Sequence, residues 1–149
     1  MAAHERTGWR DADLSEHHRD VFGIDCPAVD IDFLVIEYDR CEPRALVEYK
    51  NEHASPIDTG KSPSIKAIRN LADAAGIPAF IVRYTSEFSR WKVRALNEPA
   101  AAYLPSDESY MDEIGWVTVL YAVRGRNVPD DVRRKVEEYQ LMLDRRYEE

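Results

Sequence analysis

The chain has 149 residues, of which 44% are hydrophobic and 32% charged, enough apolar material for one packed domain and too much for a disordered chain. No apolar run approaches the roughly 20 residues of a membrane-spanning helix, and the polar first residues include no signal segment, so we expect a cytoplasmic protein without a membrane partner. The net charge of −8 argues against a protein that binds nucleic acid with its whole surface, but does not exclude an enzyme with a basic strip around an acidic metal site.

The first third of the chain predicts a helix followed by a strand hairpin. We expect the helix over residues 14–22, with Asp13 as its N-cap and Glu16 as the partner in a capping box. Residues 30–38 (DIDFLVIEY) and 44–52 (RALVEYKNE) are rich in β-branched and aromatic residues, which is typical of strands. The five-residue connection between them predicts an antiparallel pair.

The next segments predict a strand–helix–strand unit. A helix is expected over residues 63–75, with Ser62 as its N-cap, Pro63 at its first position and Gly76 at its end. Residues 79–85 (AFIVRYT) read as a strand. Because a helix connects it to the second strand of the hairpin, these two strands should run parallel.

The second half of the chain predicts two further strands and a long helix. Residues 92–97 and 116–124 are predicted strands, and 129–147 a helix with acids at its start and arginines at its end. Residues 98–113 show little periodicity and are expected to form an irregular insertion. The sequence therefore predicts one α/β domain over residues 1–149 with a central mixed sheet.

Charged residues interrupt both strands of the predicted hairpin. Side chains alternate between the faces of a strand, so Asp30 and Asp32 share one face of the first strand and Glu48 and Lys50 share one face of the second. A carboxylate and an ammonium in a buried strand are costly unless they are paired or bind a metal ion. If the register allows, Asp32, Glu48 and Lys50 converge on one face.

This set of side chains suits phosphodiester hydrolysis. Mg²⁺ takes oxygen ligands, usually one or two carboxylates together with water and substrate phosphate. A bound ion polarises a phosphoryl oxygen and acidifies a bound water. Lys50, two residues beyond Glu48, would orient or help deprotonate the attacking water, or stabilise charge on the phosphate.

The pattern Asp-x(15)-Glu-x-Lys, formed by Asp32, Glu48 and Lys50, resembles the PD-(D/E)XK nuclease superfamily and is similar to its small Holliday-junction-resolvase-like domains. The resemblance covers roughly residues 14–85. It implies a three-layer α-β-α fold of the restriction-endonuclease type. It also implies a Mg²⁺- or Mn²⁺-dependent endo- or exonuclease that acts on DNA.

The resemblance also implies roles for individual residues. Asp32 and Glu48 would bind the metal, and the backbone carbonyl of Tyr49 would be a further ligand. Lys50 would be the catalytic lysine. Some members add a glutamate from the leading helix, and Glu16 matches that position, although its capping role would also explain it. Asp30 competes with Asp32 as the ligand, since both point the same way.

One stretch of the chain has more basic than acidic residues, and we expect the DNA backbone to bind there. Its first members are Lys61, Lys66, Arg69 and Arg83, followed by Arg90, Lys92 and Arg94. Ordinary surface charge would explain these residues equally well.

Two other functions fit the same residues. A catalytically inactive domain of this fold would bind nucleic acid or a protein without dependence on Mg²⁺. An adaptor protein would use the face of the last helix that carries Val132 and Leu143 to form a homodimer. A nuclease of this size that cuts both strands of a duplex would also need a two-fold dimer, so a homodimer is an open alternative in each case.

Overall fold

The computed structural model describes residues 12–148, which divide into two compact units between Asp30 and Ile31. The first unit contains helix α1 (Ala12–Val21). Because α1 already includes Ala12, Asp13 lies within its first turn and not at the N-cap position predicted for it. Among the described helices, none is long and apolar enough to cross a membrane.

The second unit is built on a five-stranded mixed sheet with the strand order β1-β2-β3-β4-β5. The strands are β1 (Phe33–Glu37), β2 (Glu42–Asn51), β3 (Ala79–Tyr84), β4 (Trp91–Ala95) and β5 (Glu108–Met111). The helices of this unit are α2 (Pro63–Ala75), α3 (Glu98–Ala101), α4 (Glu113–Val123) and α5 (Asp130–Glu148). Strands β2 and β3 are parallel, and the other neighbouring pairs are antiparallel.

The hairpin and the strand–helix–strand unit predicted from the sequence are both confirmed. β1 and β2 are antiparallel and joined by a short 3-10 turn. Helix α2 has the predicted bounds: the Ser62 hydroxyl accepts a hydrogen bond from the Ile65 N–H, and Gly76 ends the helix in the left-handed conformation with a φ of 70°.

The strand predicted over residues 116–124 is wrong, because this segment forms most of helix α4. A continuous apolar run fits a buried helix as well as a buried strand. Asp112 favours the helix, because its side chain accepts a hydrogen bond from the Gly115 N–H at 2.9 Å and caps α4. Trp116, Val119 and Val123 then fall on one buried face.

The insertion predicted as irregular over residues 98–113 contains helix α3 and strand β5. Asn97 caps α3, and its side chain also accepts a hydrogen bond from the Ala79 N–H. Strand β5 has only four residues, too few for a periodic signal, and it forms the edge of the sheet beside β4.

The two faces of the sheet are covered differently. A large apolar core lies between one face and α4 and includes Val47, Phe80, Val82, Val93, Trp116 and Val119. A smaller cluster lies between the opposite face and α2 and comprises Leu46, Ile68, Ala72 and Ala79. Beyond α2, the second face carries charged side chains, because Glu48 and Lys50 follow Leu46 at alternate positions of β2.

The far end of β1 is fixed by an ion pair with the turn that follows α4. Glu37 is 1% exposed, and its two carboxylate oxygens accept hydrogen bonds from the guanidinium of Arg126 at 2.7 and 2.8 Å. These hydrogen bonds are the main reason that the pKa of Glu37 is lowered. Strand β1, which leads from Asp32, is thereby held at its other end.

Candidate active site

Two carboxylates meet where β1 begins. Phe33 is paired with Val47, so Asp32 stands opposite Glu48 in the hairpin. Oδ2 of Asp32 accepts a hydrogen bond from the Tyr49 N–H at 2.9 Å. Oε1 of Glu48 accepts one from the Asp32 N–H at 3.2 Å. The structure thus brings Asp32 and Glu48 together on the face of the sheet where the strand pattern places them.

Glu48 is a buried carboxylate, with only 5% of the residue exposed. Its pKa is raised, first because burial disfavours the charged form and further because the carboxylate of Asp32 lies close by. The hydrogen bond from Asp32 N–H and the charge of Lys50 act in the opposite direction but do not cancel the rise. Removal of the negative charge by a proton, or its compensation by a cation, therefore stabilises Glu48.

Lys50 is the third member of the cluster. Its Nζ lies 4.0 Å from Oε2 of Glu48, at the limit of an ion pair, and its side chain is 31% exposed. It also lines a cavity of about 280 Å³, whose lining includes Arg83, Lys92 and Arg94 but neither of the two carboxylates. Lys50 thus contacts the buried Glu48 and also lines this cavity.

Tyr49 contributes to this site through its backbone. Its side chain points into the apolar core on the other face, where its hydroxyl accepts a hydrogen bond from Trp116 Nε1 at 3.0 Å and its ring contacts Phe33 and Trp91. Burial there raises the pKa of the Tyr49 hydroxyl. These contacts fix the middle of β2, and with it the positions of Glu48 and Lys50 on either side.

The donor set fits a hard divalent cation with few protein ligands. Asp32 and Glu48 each use one carboxylate oxygen to accept a backbone hydrogen bond, which leaves Asp32 Oδ1 and Glu48 Oε2 as further acceptors. Within residues 12–148, no third histidine, cysteine, aspartate or glutamate joins them in a cluster. Two carboxylates are enough for Mg²⁺, which usually keeps several waters, whereas a zinc site needs more protein ligands.

Two residues predicted near this site belong to the first unit. Glu16 is exposed on α1, and Asp30 is exposed at the end of the same unit. In the second unit, Asp32 is the aspartate that contacts Glu48 and Tyr49. The metal role of Glu16 stays a prediction.

The basic residues predicted to bind DNA lie in two places. Lys61 precedes α2, and Lys66 and Arg69 are on α2; none of the three lines the cavity beside Lys50. Arg83 does line it, but its guanidinium donates hydrogen bonds to backbone carbonyls of the loop after β2, including that of Ala54 at 2.8 Å. Arg83 therefore holds a wall of the cavity.

Several residues that line this cavity were not predicted from the sequence to belong to the site. Lys92 and Arg94 are visible only as part of a basic stretch, and Thr59 and Glu108 carry no signal of their own. Lys92, Arg94 and Glu108 come together because β4 pairs with β3 and β5 pairs with β4, which no local pattern reveals. We call this space the basic cavity; its charged residues are Lys50, Arg83, Lys92, Arg94 and Glu108.

Comparisons of the chain with protein-family models, with curated protein sequences and with solved structures gave no match. The site is therefore interpreted from its own geometry.

Proposed function

We propose that this chain is a metal-dependent nuclease that hydrolyses phosphodiester bonds of DNA at Asp32, Glu48 and Lys50. The observation that carries the proposal is the pairing of Asp32 with the buried Glu48, with Lys50 Nζ 4.0 Å from the Glu48 carboxylate. Helices on both faces of the mixed sheet are compatible with a three-layer arrangement of the restriction-endonuclease type, which we include in the proposal.

Each residue has a distinct role in this proposal. Asp32 and Glu48 would hold Mg²⁺ or Mn²⁺, together with the backbone carbonyl of Tyr49. When bound, the ion would supply a Lewis acid for the phosphoryl oxygen and a more acidic water. Lys50 binds a non-bridging phosphate oxygen and stabilises the negative charge that grows there as the water oxygen bonds to phosphorus and the bond from phosphorus to the leaving sugar oxygen breaks. The attacking water gives a proton to solvent, and the leaving oxygen takes one up from solvent.

The electrostatics of Glu48 support a cation at this position. A carboxylate that is 5% exposed and has a carboxylate neighbour carries an uncompensated cost when it is charged. Lys50 at 4.0 Å compensates it only in part, because the distance is long and the ammonium is partly solvated. A divalent cation between the two carboxylates would remove that cost.

A second function has support from the hydrogen bonds of the same pair. Both carboxylates accept backbone N–H groups and thereby fasten the β1–β2 hairpin, which is a structural role that needs no metal. A catalytically inactive module of this fold that binds nucleic acid would keep these contacts. It differs from the nuclease in showing no dependence on a divalent cation.

The test is a cleavage assay on branched, linear and single-stranded DNA with Mg²⁺, with Mn²⁺ and with EDTA. The nuclease predicts cutting that EDTA abolishes and that Glu48→Gln lowers about 100-fold or more. Glu113→Gln is the matched control, because burial also raises the pKa of Glu113 but that residue lies at the start of α4. Equal cutting by the wild type and Glu48→Gln would exclude this site, and no cutting would favour the inactive module.

A further inference from the structure

Two rows of side chains cross the sheet on the face that carries Glu48. In one row, Lys50 of β2 is paired with Arg83 of β3, Arg83 with Lys92 of β4, and Lys92 with Tyr110 of β5. The neighbouring row runs Glu48, Ile81, Arg94 and Glu108. A continuous polar path therefore leads from the carboxylate pair to the edge of the sheet, over three strand spacings or roughly 14 Å.

The path is basic, in contrast to the chain as a whole. Four cationic side chains and one carboxylate line the basic cavity, whereas the chain has a net charge of −8. Its volume of about 280 Å³ lies just below the roughly 300–1,000 Å³ of small-molecule pockets. Local positive charge of this kind attracts a polyanion despite the acidic surroundings.

The cationic side chains of the cavity differ in how many hydrogen bonds and ion pairs they already make within the protein. Arg83 donates hydrogen bonds to loop carbonyls, and Lys92 pairs with Glu108 at 3.4 Å. The pKa of Lys92 is raised, first by its contact with the Tyr110 hydroxyl and then by the pairing with Glu108. Arg94 is exposed and has no ion pair or hydrogen bond from its side chain within the described residues 12–148. Arg94 therefore retains all its donors for a ligand, and Lys92 stays charged.

The path ends on an exposed aromatic ring. Tyr110 is 74% exposed on the edge strand β5, and Lys92 Nζ lies 5.5 Å from the centre of its ring. Aromatic rings that follow a row of cations are typical of surfaces that bind single-stranded nucleic acid, where a base stacks on the ring. The bases of a duplex are paired and stacked on each other, so such a ring reaches only an unpaired base.

We propose that this path binds a single strand of nucleic acid, with its phosphates against Lys50, Lys92 and Arg94 and one base stacked on Tyr110. The inference rests on the proposed function in that the phosphate beside Lys50 is the one to be cut. It narrows the substrate to a single-stranded segment, such as a flap or an overhang.

Binding is tested in EDTA, so that cleavage plays no part, by fluorescence anisotropy with a labelled 15-residue single-stranded oligonucleotide and the duplex of the same sequence. The wild type binds the single strand more tightly than the duplex. Tyr110→Ala weakens single-strand binding about fivefold or more, whereas Tyr110→Phe preserves it. Arg94→Ala weakens single-strand binding about threefold to tenfold. It also makes the negative slope of log K against log salt shallower by about 0.7, because one phosphate contact is lost.

Arg134→Ala is the matched control, because Arg134 is an exposed arginine on α5 and lies outside the basic cavity. It should bind like the wild type. Duplex binding as tight as single-strand binding, or wild-type affinity in both Tyr110→Ala and Arg94→Ala, overturns the inference.

These experiments distinguish failure of the nuclease proposal from failure of the single-strand binding proposal. Cutting that depends on Glu48, combined with no effect of Arg94→Ala and Tyr110→Ala on binding, removes the single-strand path and leaves the nuclease. Single-strand binding that both variants weaken, combined with no cutting under any metal, confirms the path and removes the nuclease.

Discussion

The backbone N–H of Asp32 donates a hydrogen bond to Oε1 of Glu48, and the carboxylate of Asp32 in turn accepts one from the residue after Glu48, Tyr49, at 2.9 Å. The two acidic residues therefore hold each other in place through the backbone of the hairpin. A site built on such contacts is preorganised, because the carboxylates keep their positions without a bound ion.

Glu48→Gln should raise the melting temperature at neutral pH. The amide still accepts the hydrogen bond from Asp32 but carries no charge into a buried position. Because the pKa of Glu48 is raised above its ordinary value of 4.5, the wild type loses stability as the pH rises through the folded-state pKa. The advantage of the variant should therefore shrink as the pH falls towards 4.5. Thermal melts of both proteins across this range test it, and an advantage that does not change with pH would contradict it.

Variants of Asp32 should separate the structural role of its carboxylate from its metal role. Asp32→Ala loses the acceptor for the Tyr49 N–H, so its free energy of unfolding should fall by about 1 kcal/mol. Asp32→Asn keeps an acceptor oxygen and should retain most of that stability. Both should lose the rise in melting temperature that Mn²⁺ produces in the wild type, because a neutral side chain is a poor ligand. A Mn²⁺-induced rise of wild-type size in Asp32→Asn would exclude Asp32 as a ligand.

Lys50→Ala should strongly lower the cleavage rate with little effect on stability. The ion pair with Glu48 is long at 4.0 Å and partly exposed, so its loss should change the free energy of unfolding by no more than about 1 kcal/mol. The loss of the cation beside the reacting phosphate should lower the cleavage rate about 100-fold or more. Single-turnover rates and urea melts measure the two effects, with Lys135→Ala on α5 as the control. Wild-type rates in Lys50→Ala would contradict the catalytic role.

Arg126→Ala should lower stability and leave the cleavage rate unchanged. It removes both hydrogen bonds to the buried Glu37 at the far end of β1, so the melting temperature should fall. Because the pKa of Glu37 is lowered in the folded protein, this contribution is present at neutral pH and is lost as the pH falls through the folded-state pKa. The cleavage rate of the folded variant should match that of the wild type at a temperature well below both melting points. A rate loss there would show that the Glu37 pair acts on the site.

The close approach of Asp32, Glu48 and Lys50 was predictable from the sequence, because it depends on two strands that follow each other in the chain. Asp32, Glu48 and Lys50 lie on two strands joined by a short turn, so alternation and an antiparallel hairpin are enough to bring them together. The segment around Trp116 was not predictable, because a continuous apolar run has no period that separates strand from helix, and the cap at Asp112 is a weak signal.

The path across the sheet was beyond sequence reasoning for a different reason. Tyr110 reaches Lys92 only because the four-residue strand β5 pairs with β4 in one particular register. The role of Arg83 was hidden in the same way, since its hydrogen bonds go to backbone carbonyls about 30 positions earlier in the chain. Such long-range pairings are decided by packing of the whole sheet and not by local pattern.

The most direct test of the central claim is cleavage of a labelled branched DNA with a single-stranded flap, in Mg²⁺, by the wild type and by the double variant Asp32→Asn with Glu48→Gln. Both neutral side chains keep an oxygen that can accept the hairpin hydrogen bonds, so the double variant should fold and still bind the DNA. We expect cutting by the wild type that EDTA abolishes, and no cutting by the double variant. Cutting by the double variant at the wild-type rate, or none by the folded wild type in Mg²⁺ or Mn²⁺, would contradict the assignment of a metal-dependent nuclease site to this pair.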